Sequence, residues 1–479
     1  MKLHIATVIA AAFSATLAAQ TSVPLTAPQE PTVELLSNKP GSCLGQRNLV
    51  PLQRKFPGYG GEALDDALVN SVYFMTSLNP TGPGSISAAP SGSYVVPLVA
   101  GKIVSDKTLR LPQDNIRFLG SLAPGHLSIN GSKVFNPSQL VRFAGNNALW
   151  EHFSIRASEV PDSYTGQSSH SSFGVQDGNN GVVLGNLSVH FGDDDSGALW
   201  YDTTNVTFYR LLVGHATDRS SKGGNHNYGL MAGGGSGRLS MFQNVMMTSG
   251  RSPLIGNSDP AQVVNNLVYP ANISGGGNQL FAFNQGGSPH RTVHINYHDN
   301  LDVPYLEKTA NVWTGQRAPT LLEAYLNNNQ YRNCADNSYT NMGLTSSVSD
   351  TGTIVNSPHS MPSLPAITDL TKLEDFLLPR AGNFTSRDFL DDDVMSYTST
   401  CTVPPVYALA SDYFPDPWRA GPIKPALTFW DQSSPDGLSD AAKQAFGIAP
   451  GTNLLSPNDG RWEAVVDFHS GGLLSASIE

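Results

Sequence analysis

Charge is scarce in this chain. Acidic and basic side chains make up 14% of its 479 residues, against roughly 25% in an ordinary soluble protein. Long solvent-exposed helices and coiled coils need far more charge than that. The balance is acidic: 28 basic residues, 39 acidic ones and a formal net charge of −11. A nucleic-acid partner is therefore not expected. A site for an acidic polymer would have to be locally cationic against the overall field. Cysteine is scarce as well, with Cys43, Cys334 and Cys401 alone. There is no CxxC and no Cys/His spacing of the zinc kind, which argues against a structural zinc module. An odd count leaves one cysteine free or paired between chains. Cys334–Cys401 is the preferred bridge, because both lie in the irregular C-terminal third. A GxSxG nucleophile motif is also missing, so a Ser/His/Asp hydrolase has no support.

What is abundant is turn-forming residue. The chain holds 46 Gly and 33 Pro, yet 39% of it is hydrophobic. That is enough for a sizeable core and excludes wholesale disorder. Met1-Lys2-Leu3-His4 is a short basic start, and Ile5 to Ala19 is apolar and small. The run is shorter than a membrane span needs. It reads as a secretory signal over 1–19 with cleavage near Ala19. No membrane partner and an extracellular, secreted mature protein are expected. Residues 20–45 are rich in Pro, Ser and Thr and read as a linker. Sequons at Asn130, Asn186, Asn205, Asn272 and Asn383 lend weak support to a eukaryotic secreted glycoprotein.

From about 100 to 300 one theme repeats: short β-branched and aromatic runs between Asn/Gly/Asp/Ser turns. Equivalent core positions are read at Phe153, Leu187, Leu211, Val245, Leu267 and Tyr297, at spacings of 34, 24, 34, 22 and 30. The shortest of these is one coil of a solenoid, with loops inserted in some coils. Helical periodicity is confined to 62–75 and 438–446. WD and kelch signatures are missing. The spacing predicts a right-handed parallel β-helix over 46–400, with Asn, Ser and Thr able to ladder at the turns. A β-sandwich is the alternative, but it does not explain the near-regular spacing. Residues 401–479 form a small irregular and helical C-terminal segment.

These residues resemble the pectate-lyase-like parallel β-helix proteins of polysaccharide lyase family 1. The likeness runs from about 56 to 400. Phe56-Pro57-Gly58-Tyr59-Gly60-Gly61 and Gly82-Pro83-Gly84-Ser85 are similar to the family's Gly-rich opening. Leu119 to Gly125, Asn146 to Ile155 and Phe191 to Thr207 follow its next turns and coils in order. Ser221 to Gly229 is similar to its "ekgpHsyG" loop, and Gly250-Arg251-Ser252-Pro253 to its "RxP" motif. Asn265 to Tyr269 and Phe376 to Asp391 match its later coil and its close.

The resemblance implies a lyase acting on an acidic polysaccharide of 4-linked uronates. A base removes the C5 proton and the C4 oxygen leaves. Cations against the uronate carboxylate make that proton more acidic. The family's base is an Arg, and the matching position is Arg251. An arginine acts so only when deprotonated, against a pKa above about 12. Lys222 and His226 are the residues expected beside it. Asp193, Asp194 and Asp195 form an acidic turn suited to Ca²⁺, and Asp195 aligns with a family ligand. Other ligand positions are lost: they fall on Gly185, Asn186, Leu199 and Ser171 or Ser172. Tyr228, Trp200, Tyr201 and His190 are the expected substrate contacts, and Trp313 is a further aromatic able to stack on sugar. A solvated acidic turn and simple loop packing are the bland alternatives for these groups.

Two other readings stand beside the lyase. One is a glycoside hydrolase using two of the three aspartates, since such a pair flanks the bond at about 5–9.5 Å. The other is a silent carbohydrate-binding solenoid. In the tail, Asp431 to Asp440 resembles a degenerate Ca²⁺ loop, with Gln432 and Ser434 replacing acids. A monomer is expected.

Overall fold

Each coil of the chain lays down three short strands. The computed structural model describes residues 56–69, 71–123, 125–132, 139–157, 171–217, 226–270, 279–282, 291–304, 311–317, 320–346, 352–407, 410–414 and 416. The signal and linker, Cys43, Lys222, Asn272, the 438–446 helix and the tail's acidic loop lie outside them. Among the described residues the strands form sheets of eleven, ten and nine strands. One coil runs through Asn180–Gly185, Ser188–His190 and Asp195–Leu199, and the next through Thr204–Tyr209, Leu212–Gly214 and Tyr228–Ala232. Each strand pairs in parallel with its counterpart one coil away. The architecture is a right-handed parallel β-helix. Val182 pairs with Val206 and Leu239 with Ala261, steps of 24 and 22 residues. The step from Val206 to Leu239 is 33, because a loop is inserted in that coil.

Alternation sends every second side chain inward. The interior is a stack of aromatic and aliphatic residues, with Phe118, Trp150, Phe153, Phe173 and Phe208 all buried. Phe173 packs edge-on to Phe208 at 5.6 Å between ring centroids, and Phe118 to Phe153 at 5.3 Å. Such pairs add to the roughly 1.5–3 kcal/mol that each buried large side chain contributes.

The corner from the eleven-stranded to the ten-stranded sheet repeats one backbone device. His152, Asn186, Arg210, Gln243, Asn265, Asp299 and Asn328 all have φ between 47° and 59°. The residue after each points inward. In three coils it is Phe153, Leu187 or Leu211, and all three are buried. In the following coils it is Asn244, Asn266, Asn300 and Asn329, which form a buried ladder. The amides of Leu211, Asn244, Asn266 and Asn300 donate to the side-chain oxygen of the next rung at 2.9, 3.0, 2.9 and 3.2 Å.

This ladder corrects the expected core positions. Val245 and Leu267 pair with each other but sit opposite Leu212, one residue out of phase with Leu211. Tyr297 pairs with Val263 in another sheet. The inward corner residue turns polar here, so hydrophobicity alone slides the alignment by one.

The helix expected over 62–75 is also corrected. A helix at Gly58–Ala63 and a 3₁₀ turn at Asp66–Leu68 lead into the strand Ser71–Met75. That strand, rich in β-formers, pairs with Ser93–Pro97. The short helix lies flat on the eleven-stranded sheet, where Tyr59 N and Gly60 N donate to Ser240 Oγ and Thr207 Oγ1. A Cβ at Gly60 would fall 2.5 Å from the Val182 carbonyl oxygen.

The chain then returns along the solenoid. Asn296 and Asn265 each clamp one residue of this return, accepting from its N–H and donating to its carbonyl; the clamped residues are His359 and Ile367. The helix Phe389–Thr400 is capped by Asp388 and docks on the ten-stranded sheet. Its acids enter a buried network. Asp388 meets Arg156 and His126, Asp391 meets His190 at 3.3 Å, and Asp393 meets His215 at 2.8 Å. The helix ends at Cys401, which is bridged to Cys334 as the sequence suggests. Among the described residues no helix is long and apolar enough to cross a membrane. Of the described sequons, Asn130, Asn186 and Asn383 are buried, while Asn205 is half-buried.

Candidate active site

Asp195 opens one strand of the nine-stranded sheet and Tyr228 opens the next, and the two are register partners. Gly250 bridges Tyr228 one coil further on. Three neighbouring coils thus bring Asp195, Tyr228 and the Gly250-Arg251 corner together. Arg251 takes a left-handed backbone conformation, φ 51°. Its carbonyl accepts from Leu230 N at 2.8 Å, and a Cβ at Gly229 would fall 2.6 Å from that oxygen. Glycine at 229 is what allows the corner to approach. The corner is braced by Thr248 Oγ1 against Ser252 Oγ at 2.6 Å, and by Asn227, whose Oδ1 accepts from Ser249 N at 2.8 Å.

The guanidinium sits over this frame. Arg251 Nη1 donates to Asp195 Oδ1 at 2.7 Å and lies 3.6 Å from Asp194 Oδ1. Its Cζ is 4.0 Å from the Tyr228 ring centroid, a cation–π contact. Met231 Sδ is 3.6 Å from the same nitrogen. His226 stacks on Tyr228 with centroids 4.8 Å apart, and its Nδ1 is 2.8 Å from Asp194 Oδ1. Arg251 and His226 therefore converge on one carboxylate. Burial pulls the Arg251 pKa down, but Asp195 and Asp194 outweigh it, and the net direction is up. The side chain stays a quarter exposed.

The acidic turn is enclosed: Asp193, Asp194 and Asp195 are all buried. Their oxygens are hard donors of the kind Ca²⁺ takes. Asp194 and Asp195 both lie against the Arg251 guanidinium. The donor chemistry fits a calcium ion. The family's Leu199 position does not contribute, because Leu199 is buried in the hydrophobic core.

The structure brings Arg251, His226, Tyr228, Asp194 and Asp195 together, and Asp193 is buried in the same acidic turn. Four expected residues fall elsewhere. His190 is fully buried beneath the C-terminal helix, between Asp391 and His215, and no substrate reaches it. This corrects its reading as a sugar contact: the position faces a docked helix. Trp200 and Tyr201 follow the strand that Asp195 begins, about 16 Å further along at roughly 3.3 Å per residue. Tyr201 is 60% exposed there. Trp313 lies on the outer face of the same sheet, in one cross-strand row with Ala198, Met231, Leu254 and Gln279. Sequence reasoning missed Gly229, Asn227, Thr248 and Met231. Gly229 and Asn227 have a signal in the His226-Asn227-Tyr228-Gly229 run; Thr248 and Met231 show none.

The chain is similar to several fungal proteins. It is 25% identical to the probable pectate lyase C of Aspergillus oryzae over 420 residues, 86% of this chain and 92% of that one. The probable pectate lyase C of Neosartorya fischeri is 24% identical over 401 residues, 83% and 87% of the two chains. That of Aspergillus fumigatus is 23% identical over 400 residues, 83% and 87%. No family model matches the chain. The chain is a parallel β-helix protein similar to these pectate lyases over most of its length. It is an enzyme of the lyase class.

Proposed function

We propose that this lyase is a secreted, monomeric enzyme that cleaves a pectate- or pectin-like polysaccharide of 4-linked uronates by β-elimination at the Arg251 corner. The observation that carries the reading is the Arg251 guanidinium, over Tyr228 and against two buried carboxylates, at the edge of an outward-facing sheet. Arg251 is the base. Neutral, it takes the C5 proton; the C5 electrons form the C4–C5 double bond as the C4–O bond breaks, and the leaving oxygen takes a proton. His226 is the residue within the described site able to supply that proton or hold the leaving sugar. Lys222, close to His226 in sequence, is the further cation expected to act against the uronate.

Arg251 is a cation while Asp195 and Asp194 hold it. Asp193, Asp194 and Asp195 would be the residues to hold Ca²⁺, which would supply positive charge against the uronate carboxylate. The same arrangement favours a lyase over a two-aspartate hydrolase, since Asp194 and Asp195 both face one guanidinium. Absorbance of unsaturated uronate tests the assignment. Arg251→Ala should lose activity by about 10²–10⁴-fold, the usual worth of a general base. Activity surviving in that variant removes Arg251 from the chemistry.

A further inference from the structure

A second cluster of ligating side chains stands on the outer face of the eleven-stranded sheet, in a different sheet from Arg251. His294, in strand Thr292–His298, and Glu323, in strand Leu321–Asn327, are register partners. Their side chains leave the sheet side by side. His359 comes from the returning segment, held by the Asn296 amide: His359 N donates to Asn296 Oδ1 and His359 O accepts from Asn296 Nδ2, both at 2.9 Å. One ligand atom from each of His294, Glu323 and His359 lies within 4.8 Å of the other two. His294 Nε2 is 3.8 Å from Glu323 Oε2, and the two rings meet edge to face at 4.9 Å.

The hydrogen bonds around the cluster set the tautomers. His294 Nδ1 is 2.9 Å from Asp259 Oδ1, and His359 Nε2 is 3.2 Å from the Glu323 carbonyl oxygen. A carbonyl only accepts, and so does an ionised carboxylate. The neutral rings therefore carry their protons on His294 Nδ1 and His359 Nε2. The lone pairs left are those of His294 Nε2, which faces the Glu323 carboxylate, and His359 Nδ1. Two imidazole nitrogens and one carboxylate are the donor set of a borderline divalent cation. An acceptor on the other ring nitrogen is how metal-bound histidines are oriented.

We propose that His294, Glu323 and His359 bind one divalent transition cation of the zinc class, with Asp259 as the positioning residue for His294. Ligand bonds of about 2.0–2.2 Å in a tetrahedral shell put donor atoms roughly 3.4 Å apart. His294 and Glu323 are close to that separation, and their side chains are 39% and 42% exposed, which leaves them room to close. Solvent fills the remaining position. The ion joins two successive coils to the returning segment near the C-terminal end of the solenoid. It does so where Leu321, Leu344 and Ile354 are exposed and the core is thinning.

The test is calorimetric titration of Zn²⁺ into the full chain, first stripped with chelator and then held in excess Ca²⁺ to fill sites of hard oxygen donors. One equivalent of Zn²⁺ should bind saturably and raise the melting temperature. Glu323→Gln and His359→Ala should each weaken binding by about tenfold or more, and Asp259→Asn should weaken it by about 10–100-fold. Glu323→Gln is isosteric and keeps the test open should His359→Ala fail to fold. Asp194→Asn should leave Zn²⁺ affinity unchanged. Absence of saturable binding overturns the proposal. So does binding undiminished in Glu323→Gln, or binding lost in Asp194→Asn.

Discussion

Arg251 Nη1 lies 2.7 Å from Asp195 Oδ1, and this contact raises the guanidinium's pKa. Burial alone would do the reverse. The two carboxylates at this corner therefore set the protonation of the residue that the proposed reaction needs neutral. Whatever neutralises them makes Arg251 a better base.

Asp195→Asn should move the rise of the pH–rate profile to lower pH, by about 1–3 pH units, the usual effect of one close opposite charge. The rate is measured at saturating Ca²⁺, since the same change removes a proposed ligand. A profile that does not move would mean that Arg251 protonation does not control the rate.

Asp194→Asn should weaken calcium activation by about tenfold while the fold is kept. Asp194 sits between His226 and Arg251, so its loss also frees His226. The half-activating Ca²⁺ concentration checks this, beside a thermal melt of the same variant.

Acid should unfold the protein through its buried histidines. Burial lowers the His126 and His190 pKa values from 6.5 to about 4. Unfolded, each takes up a proton below about 6.5. The unfolded state thus binds more protons than the folded state between pH 6.5 and 4. Stability is complete above pH 6.5 and is lost as pH falls toward 4, by about 3 kcal/mol for each histidine. Melting temperature against pH reads this directly. His190→Gln, which cannot charge, should flatten the slope.

Asn266→Ala should destabilise the solenoid by about 1–3 kcal/mol, because it strands the buried Asn244 amide at the middle of the ladder. Denaturant unfolding measures it. A change no larger than an exposed Asn→Ala would contradict the ladder's role.

Cys334→Ser should cost about 2–4 kcal/mol, since the bridge closes a separation of 67 residues. Reduction of the native protein should lower the melting point comparably. It should spare the Arg251 corner, which lies in other coils.

The solenoid was legible because its inward residues are large and apolar and recur at coil length. Phe153, Leu187 and Leu211 occupy equivalent positions and are buried as expected. The phase slipped where Asn244, Asn266 and Asn300 take over the same inward position, since a buried polar ladder has the composition of a loop. At the candidate site, the Arg251-Ser252-Pro253 run and the three aspartates were legible as motifs. Their convergence was not, because it depends on which coils stack. His190 was misread for a related reason: its partners Asp391 and His215 are distant in sequence. Asp388 and Asp391 belong to the closing motif, yet nothing local in sequence shows that they are buried against Arg156 and His190.

The most direct measurement of the central claim is the ultraviolet absorbance of unsaturated uronate. The substrates are polygalacturonate, methylated pectin, alginate and glucuronan, each with Ca²⁺ and with chelator. The account predicts a rise on a galacturonate polymer that disappears with chelator and in Arg251→Ala. A flat trace on every polymer from folded, calcium-loaded protein would contradict it, and so would release of reducing sugar with no such absorbance.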